Sequence, residues 1–154
     1  MKTSHFFTFL IFVFLAGTLN SFAQDTELRA KRIGASAQIN IGKSDDDPIA
    51  IISVSGEYNL WNRLSLGGGY AYLDGYLLQK QTFEIFARGY ALAKPLDIFV
   101  QAGTHFYSGG ITPVVKAGVE WQTKSKFFMG ADFAMMLQTD HAGYLGGFFA
   151  GLRF

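Results

Sequence analysis

The sequence predicts an all-β fold: an eight-stranded antiparallel up-and-down β-barrel whose outer wall is apolar enough to lie in a bilayer. Three observations predict it. Eight segments of about ten residues alternate apolar with polar or small side chains at a period of two, the repeat of a strand with two unlike faces. The ionised residues inside those segments fall on one parity, so a single face would collect them all. The composition has 18 Gly, 16 Phe and 7 Tyr against 3 Pro, with 49% hydrophobic and 16% charged residues, which leaves a soluble chain short of polar surface.

The segments are expected near 32–42, 49–60, 63–73, 80–91, 97–107, 112–121, 126–137 and 144–154. In the first, Ile33, Ala35, Ala37, Ile39 and Ile41 oppose Gly34, Ser36, Gln38 and Asn40. In the second, Ile52, Val54, Gly56, Tyr58 and Leu60 oppose Ser53, Ser55, Glu57 and Asn59. The third puts Leu64, Leu66, Gly68, Tyr70 and Tyr72 outward, and Ser65, Gly67, Gly69 and Ala71 into a narrow lumen. Its Gly67-Gly68-Gly69 run reads as close packing or a bend, because no strand-to-helix transition follows to make a phosphate cradle. In the fifth, Ile98, Val100, Ala102, Thr104 and Phe106 oppose Asp97, Phe99, Gln101, Gly103 and His105. Later segments are less regular: Phe86, Phe128, Leu145 and Phe149 fall on the inner parity, which suits a filled interior and not an open aqueous pore.

The inner face thereby receives Glu57, Glu84, Arg88, Lys116, Glu120, Asp132 and Arg153. An Arg or Lys turned into lipid at mid-depth would cost about 2–4 kcal/mol, so the shared parity supports the inside–outside assignment. Hairpins closed through the expected turns set Lys116 across from Asp132, Arg88 across from Gln101 and Glu84 across from His105, close enough for ion pairs. Together these nine residues are expected to form a polar network that fills the barrel.

Connections after odd segments are polar: 43–48, 74–79, 108–110 and 138–143. Those after even segments are tight turns at Trp61-Asn62, Ala93 to Leu96 and Gln122 to Ser125. Trp61, Trp121, Tyr58, Tyr70, Tyr72, Phe106, Tyr144 and Phe154 lie near segment ends, where amphipathic rings favour membrane interfaces.

At the other end of the chain, Lys2 leads into an apolar run from Phe6 to Gly17, and Ser21-Phe22-Ala23 precedes Gln24. That pattern fits a cleaved secretory signal peptide over 1–23, since a membrane-spanning helix needs about 20 apolar residues. A short periplasmic segment over 24–31 would then lead into a barrel over 32–154. The absence of Cys excludes lipoprotein processing and disulfides. A net charge of +1 gives no electrostatic case for nucleic acid.

No catalytic, metal or cofactor site is expected. His105 and Ser108 are three apart, which sets them on opposite faces of a strand where a base and nucleophile need a common one. Glu84 and His105 without a nucleophile make a satisfied interior pair. Asp45-Asp46-Asp47, even with Asp140 and His141, reads as solvated loop tips lacking the fixed geometry of a calcium loop.

The signal peptide, the alternating segments, the inward charges and a final segment carrying Tyr144, Phe148, Leu152 and a terminal Phe154 closely resemble the small eight-stranded outer-membrane barrels, the families of outer membrane protein A and outer membrane protein X. That resemblance implies an integral outer-membrane location with both termini periplasmic, outer-membrane lipid and the barrel-assembly machinery as partners, and a monomer. It implies that Tyr144, Phe148, Leu152 and Phe154 form the C-terminal assembly signature. Relatives include membrane-stabilising proteins, adhesins and lipid-modifying enzymes. Short loops speak against an adhesin, so the expected role is structural or surface-binding without catalysis. The alternatives are a narrow solute conduit, a lipid A-modifying barrel enzyme, and a soluble lipocalin-like ligand-binding barrel. The last would need apolar residues inside and charges outside.

Overall fold

The computed structural model describes residues 33–44, 47–61, 63–75, 78–93, 96–108, 110–123, 126–137 and 142–154. The expected signal peptide, the segment 24–31, and Asp45, Asp46, Asp140 and His141 lie outside the described residues. The strands are β1 (Ile33–Ser44), β2 (Asp47–Trp61), β3 (Leu64–Gly75), β4 (Leu78–Ala93), β5 (Leu96–Tyr107), β6 (Gly110–Gln122), β7 (Phe127–Leu137) and β8 (Ala142–Arg153). Each pairs antiparallel with its sequence neighbours, and β8 pairs with β1, so the sheet closes in simple up-and-down order. No helix occurs among the described residues. The backbone of Phe154 exchanges hydrogen bonds of 3.1 and 2.8 Å with Ile33, which locks the seam at its end.

Register sets the barrel's shape. Partners followed from Ile33 through Tyr58, Leu66, Ala87, Ala102, Val115, Met135 and Tyr144 return to β1 at Lys43, a shear of ten residues. Eight strands with that stagger tilt by about 40° to the axis and enclose a lumen that side chains can fill.

At the end holding the β1–β2, β3–β4, β5–β6 and β7–β8 connections, here the loop end, six strands extend two residues beyond the expected segments, and β5 and β7 end where expected. Those connections are shorter than their polar composition suggests, because polar residues continue the ladders. Ser44 pairs with Asp47 and Gly75 with Leu78. Between β5 and β6 the chain reverses in two residues, helped by Gly110 at φ 147°, a conformation costly for any residue with a Cβ. Pro113 sits where the β6–β7 ladder has not yet begun: Val114 is the first β6 residue paired with β7. A residue without an N–H can be placed there without losing a bond to that neighbour.

The alternation holds all the way round. Side chains such as Ile39, Val54, Tyr70, Phe83, Ile98, Phe133 and Phe148 stand exposed on the outer wall, while Glu57, Glu84, Arg88, Lys116, Glu120, Asp132 and Arg153 are buried inside. That is the sorting a hydrocarbon exterior demands, and it is the reverse of a soluble ligand-binding barrel.

One predicted pairing is corrected. Lys116 faces Ala134, and Asp132 faces Gly118. The cause is the β6–β7 turn, where the amide and hydroxyl of Thr123 both donate to the Phe127 carbonyl, at 3.1 and 2.8 Å. The turn therefore closes one residue later than expected, which moves every partner on β7 by two. The other two pairings, Arg88 with Gln101 and Glu84 with His105, are as expected.

Candidate functional site

The lumen is the only region among the described residues where polar chemistry is concentrated, and it is built from every strand. Near the turn end, opposite the loops, Arg153 grips Glu120 with both terminal nitrogens, at 2.6 and 2.9 Å. Its Nη2 also donates to Glu57 Oε1 at 2.8 Å and to the Tyr90 hydroxyl at 3.0 Å. Glu57 further accepts from Arg88 Nη1 at 3.3 Å, Tyr90 at 3.2 Å and Ser65 at 3.3 Å. Two carboxylates thus face two guanidiniums, and between Arg153 and Glu120 one hydrogen bond from Nη2 is reinforced by the ion-pair contact of Nη1. Gln122 extends the group to the rim, donating to Glu120 and to Asp97 at 2.9 Å each.

Toward the loop end the charges are spaced by amides. Gln101 accepts from Arg88 Nε and Nη2 at 2.9 and 2.7 Å and donates to Glu84 at 2.8 Å. Lys116 donates to Glu84 at 3.0 Å and to Gln38 Oε1 at 3.4 Å. Gln38 donates in turn to Asp132, which also accepts from Asn40 at 2.7 Å. Lys116 and Asp132 are therefore linked through the Gln38 amide. Each glutamine turns its carbonyl to the cation and its amino group to the carboxylate, which fixes both amide orientations chemically. The result is one connected path of hydrogen bonds from Asn40 to Asp97.

Aromatic rings pack against this path. The Arg88 guanidinium lies 4.6, 5.2 and 5.7 Å from the ring centres of Phe99, Phe86 and Phe149, and that of Arg153 lies 4.7 Å from Phe128 and 5.6 Å from Tyr90. Such contacts offset part of the cost of removing a guanidinium from water. A repeated local device admits rings to so narrow a lumen. Each of the four phenylalanines is paired directly with a glycine: Phe86 with Gly67, Phe99 with Gly118, Phe128 with Gly151 and Phe149 with Gly130. A Cβ on any of these glycines would come within 3.0 Å of the opposing ring. The rings lie along the wall over the missing side chains and leave the axis to the charged groups.

Above the polar path, at the loop end, Ile49, Ile51, Ala71, Leu73, Val114, Ala134, Met136 and Leu145 form an apolar cluster. The sequence reading placed Ala71 and Leu145 inside but did not anticipate that they join a cluster, because contact between strands depends on register.

All nine sequence-predicted interior residues are buried: Glu57, Glu84, Arg88, Gln101, His105, Lys116, Glu120, Asp132 and Arg153. Eight join the connected path, and His105 sits beside it, with Nδ1 3.0 Å from Thr82 Oγ1 and Nε2 4.0 Å from Glu84. Thr82, His105 and Glu84 have the residue types of a catalytic triad, but Glu84 is engaged by Lys116 and Gln101, and Thr82 and His105 are each only 2% exposed. Ser108 lies beyond β5 and is exposed, whereas Thr82, His105 and Glu84 are buried. Sequence reasoning missed Gln38, Asn40, Tyr90 and Gln122 as members. The first two carried the right parity, and weighing buried amides as couplers between charges would have found them. Tyr144, Phe148, Leu152 and Phe154 stand exposed on the outer wall.

No family model matches the sequence, and no curated protein matches it in sequence. The fold does have solved counterparts. The N-terminal β-barrel domain of OprF from Pseudomonas aeruginosa is similar at a TM-score of 0.64 and 15% identity, over 80% of this chain and 98% of that one. Neisserial surface protein A is similar at 0.56 and 16%, over 79% and 94%. A de novo designed transmembrane β-barrel is similar at 0.58 and 14%, over 77% and 95%. At such identities the likeness is one of fold, and a designed member of the group shows that a sequence can reach this fold with no natural ancestry.

Proposed function

From the premise that this chain has the fold of the small eight-stranded outer-membrane barrels, we propose that it is an integral outer-membrane protein with both termini periplasmic, a structural or surface-binding role, and no catalysis. The side-chain-filled lumen carries this reading. A solute entering from the loop end meets eight buried apolar residues, and one entering from the turn end meets paired charges with no counter-ion to exchange. A pore lined this way is expected to be silent, so purified protein in a planar bilayer should pass no steady current. Reproducible conductance steps would overturn the reading and favour a solute conduit.

Enzymatic turnover of lipid A would need Thr82 or His105 to reach a substrate, and both are held in the interior. Replacing His105 by Gln is expected to leave the lipid A profile of producing cells unchanged. On this reading Tyr144, Phe148, Leu152 and Phe154 serve as the stripe recognised by the assembly machinery, and afterwards they face lipid as parts of a monomer.

A further inference from the structure

The two rims of the barrel carry opposite charge. The turns between β2 and β3, β4 and β5, and β6 and β7 comprise residues 62–63, 94–95 and 123–126, and these eight positions hold Arg63, Lys94, Lys124 and Lys126 with no carboxylate. The loop connections, residues 45–46, 76–77, 108–109 and 138–141, hold Asp45, Asp46 and Asp140 with no Lys or Arg. At the strand ends beside those loops, Lys43 and Lys80 are matched by Asp47 and Asp74. The excess at the turn rim is therefore a property of that end alone.

Two further observations say what the rim faces. Among the described side chains, the carboxylates nearest to it, Asp97 and Glu120, are buried in the lumen, where Gln122 and Arg153 engage them. Phe154 and Trp121 are exposed on the outer wall at the same end, and the Lys126 ammonium lies 5.3 Å from the Phe154 ring. Interfacial rings mark where hydrocarbon gives way to headgroups, so this cation stands at headgroup level.

We propose that the turn rim binds the anionic headgroups of phospholipids in the adjacent leaflet, which would fix the barrel's depth and orientation. The inference rests on the membrane reading above and adds its lipid preference. The partner is a leaflet and not an acidic protein because each of the three connections between described strands at this end carries a cation in the sequence, and only lipid surrounds a barrel on every side. Each Lys or Arg at an anionic bilayer surface strengthens attraction by about fivefold, and salt removes the effect as the screening length shrinks.

Both tryptophans of the chain, Trp61 and Trp121, lie at this end, so their fluorescence reports on the annulus there. The full chain, refolded into phosphatidylcholine vesicles, is titrated with phosphatidylglycerol brominated on its acyl chains, and in parallel with brominated phosphatidylcholine. The anionic lipid is expected to reach half-maximal quenching at a mole fraction about threefold to tenfold lower. The advantage should vanish at about 1 M salt and in a variant combining Arg63→Gln, Lys94→Gln, Lys124→Gln and Lys126→Gln. It should survive Asp45→Asn, Asp46→Asn and Asp47→Asn. Equal quenching by the two lipids, or a preference that persists in the fourfold variant, overturns the inference while leaving the barrel reading intact. Absence of quenching by either lipid, with no heat-modifiable band on a gel, overturns the barrel reading and the inference with it.

Discussion

The two halves of the lumen solve the same problem differently. In the half nearer the turns, carboxylates and guanidiniums meet directly, Glu57 and Glu120 against Arg88 and Arg153, with rings over the cations. In the half nearer the loops, only Lys116 and Glu84 touch, Asp132 is held by the Gln38 and Asn40 amides, and an apolar cluster closes the end. The contrast follows from the side chains available. Arginine forks and aromatic faces can share a crowded layer because both are planar. The one ammonium there donates to Glu84 and reaches Asp132 only through Gln38, so amides carry the remaining contact. Direct pairing concentrates energy in a few bonds, whereas spacing by amides spreads it.

The sharpest break of this contrast is Glu120→Gln. Glu120 is completely buried and contacts Arg153 at two points, so neutralising it leaves the buried guanidiniums of Arg88 and Arg153 with Glu57 as their one carboxylate and should lower stability by about 3–5 kcal/mol. Denaturant unfolding in lipid vesicles measures this; a change as small as that of an exposed ion pair would show that the turn-side half is not organised by direct pairing.

Gly130→Ala comes next, with an expected loss of about 1–3 kcal/mol from overpacking, because its Cβ would strike both the Phe149 ring and the Val119 carbonyl. Gly146 on the outer face of the adjacent strand has nothing within 4 Å of a Cβ, so Gly146→Ala is expected to be nearly neutral in the same assay. Equal effects at the two sites would remove the claim that rings are seated over glycines.

The smallest effect sharpens the loop-side half. A double-mutant cycle between Lys116 and Glu84 should return a coupling of about 1–2 kcal/mol, and one between Lys116 and Asp132 about 0.5 kcal/mol. The second should disappear in a Gln38→Leu background, where the linking amide is gone. A Lys116–Asp132 coupling that survives there would mean the two charges interact without Gln38.

Particular residues show how much of this was legible in advance. Ile39, Val54, Ile98 and their alternating neighbours announced the wall, and the shared parity of Glu57, Arg88, Lys116 and Arg153 announced the inside, because strand periodicity is local and exact in its consequence. The Lys116–Asp132 pairing failed because register across β6 and β7 depends on where one turn closes, which Thr123 decides through two hydrogen bonds. The glycine seats were invisible for a related reason. Phe149 and Gly130 are 19 positions apart, and only the β7–β8 register makes them opposite.

Taken alone, the order of residues determined which face of each strand meets hydrocarbon, how many strands there are and that the sheet must bury its charges, since all of these depend on neighbours along the chain. Only the tertiary structure decided which charges pair, which amides link them, where the rings lie and that an apolar cluster fills the loop end. These depend on the ten-residue stagger of a closed sheet, and a closure condition belongs to all eight strands together and to no segment by itself.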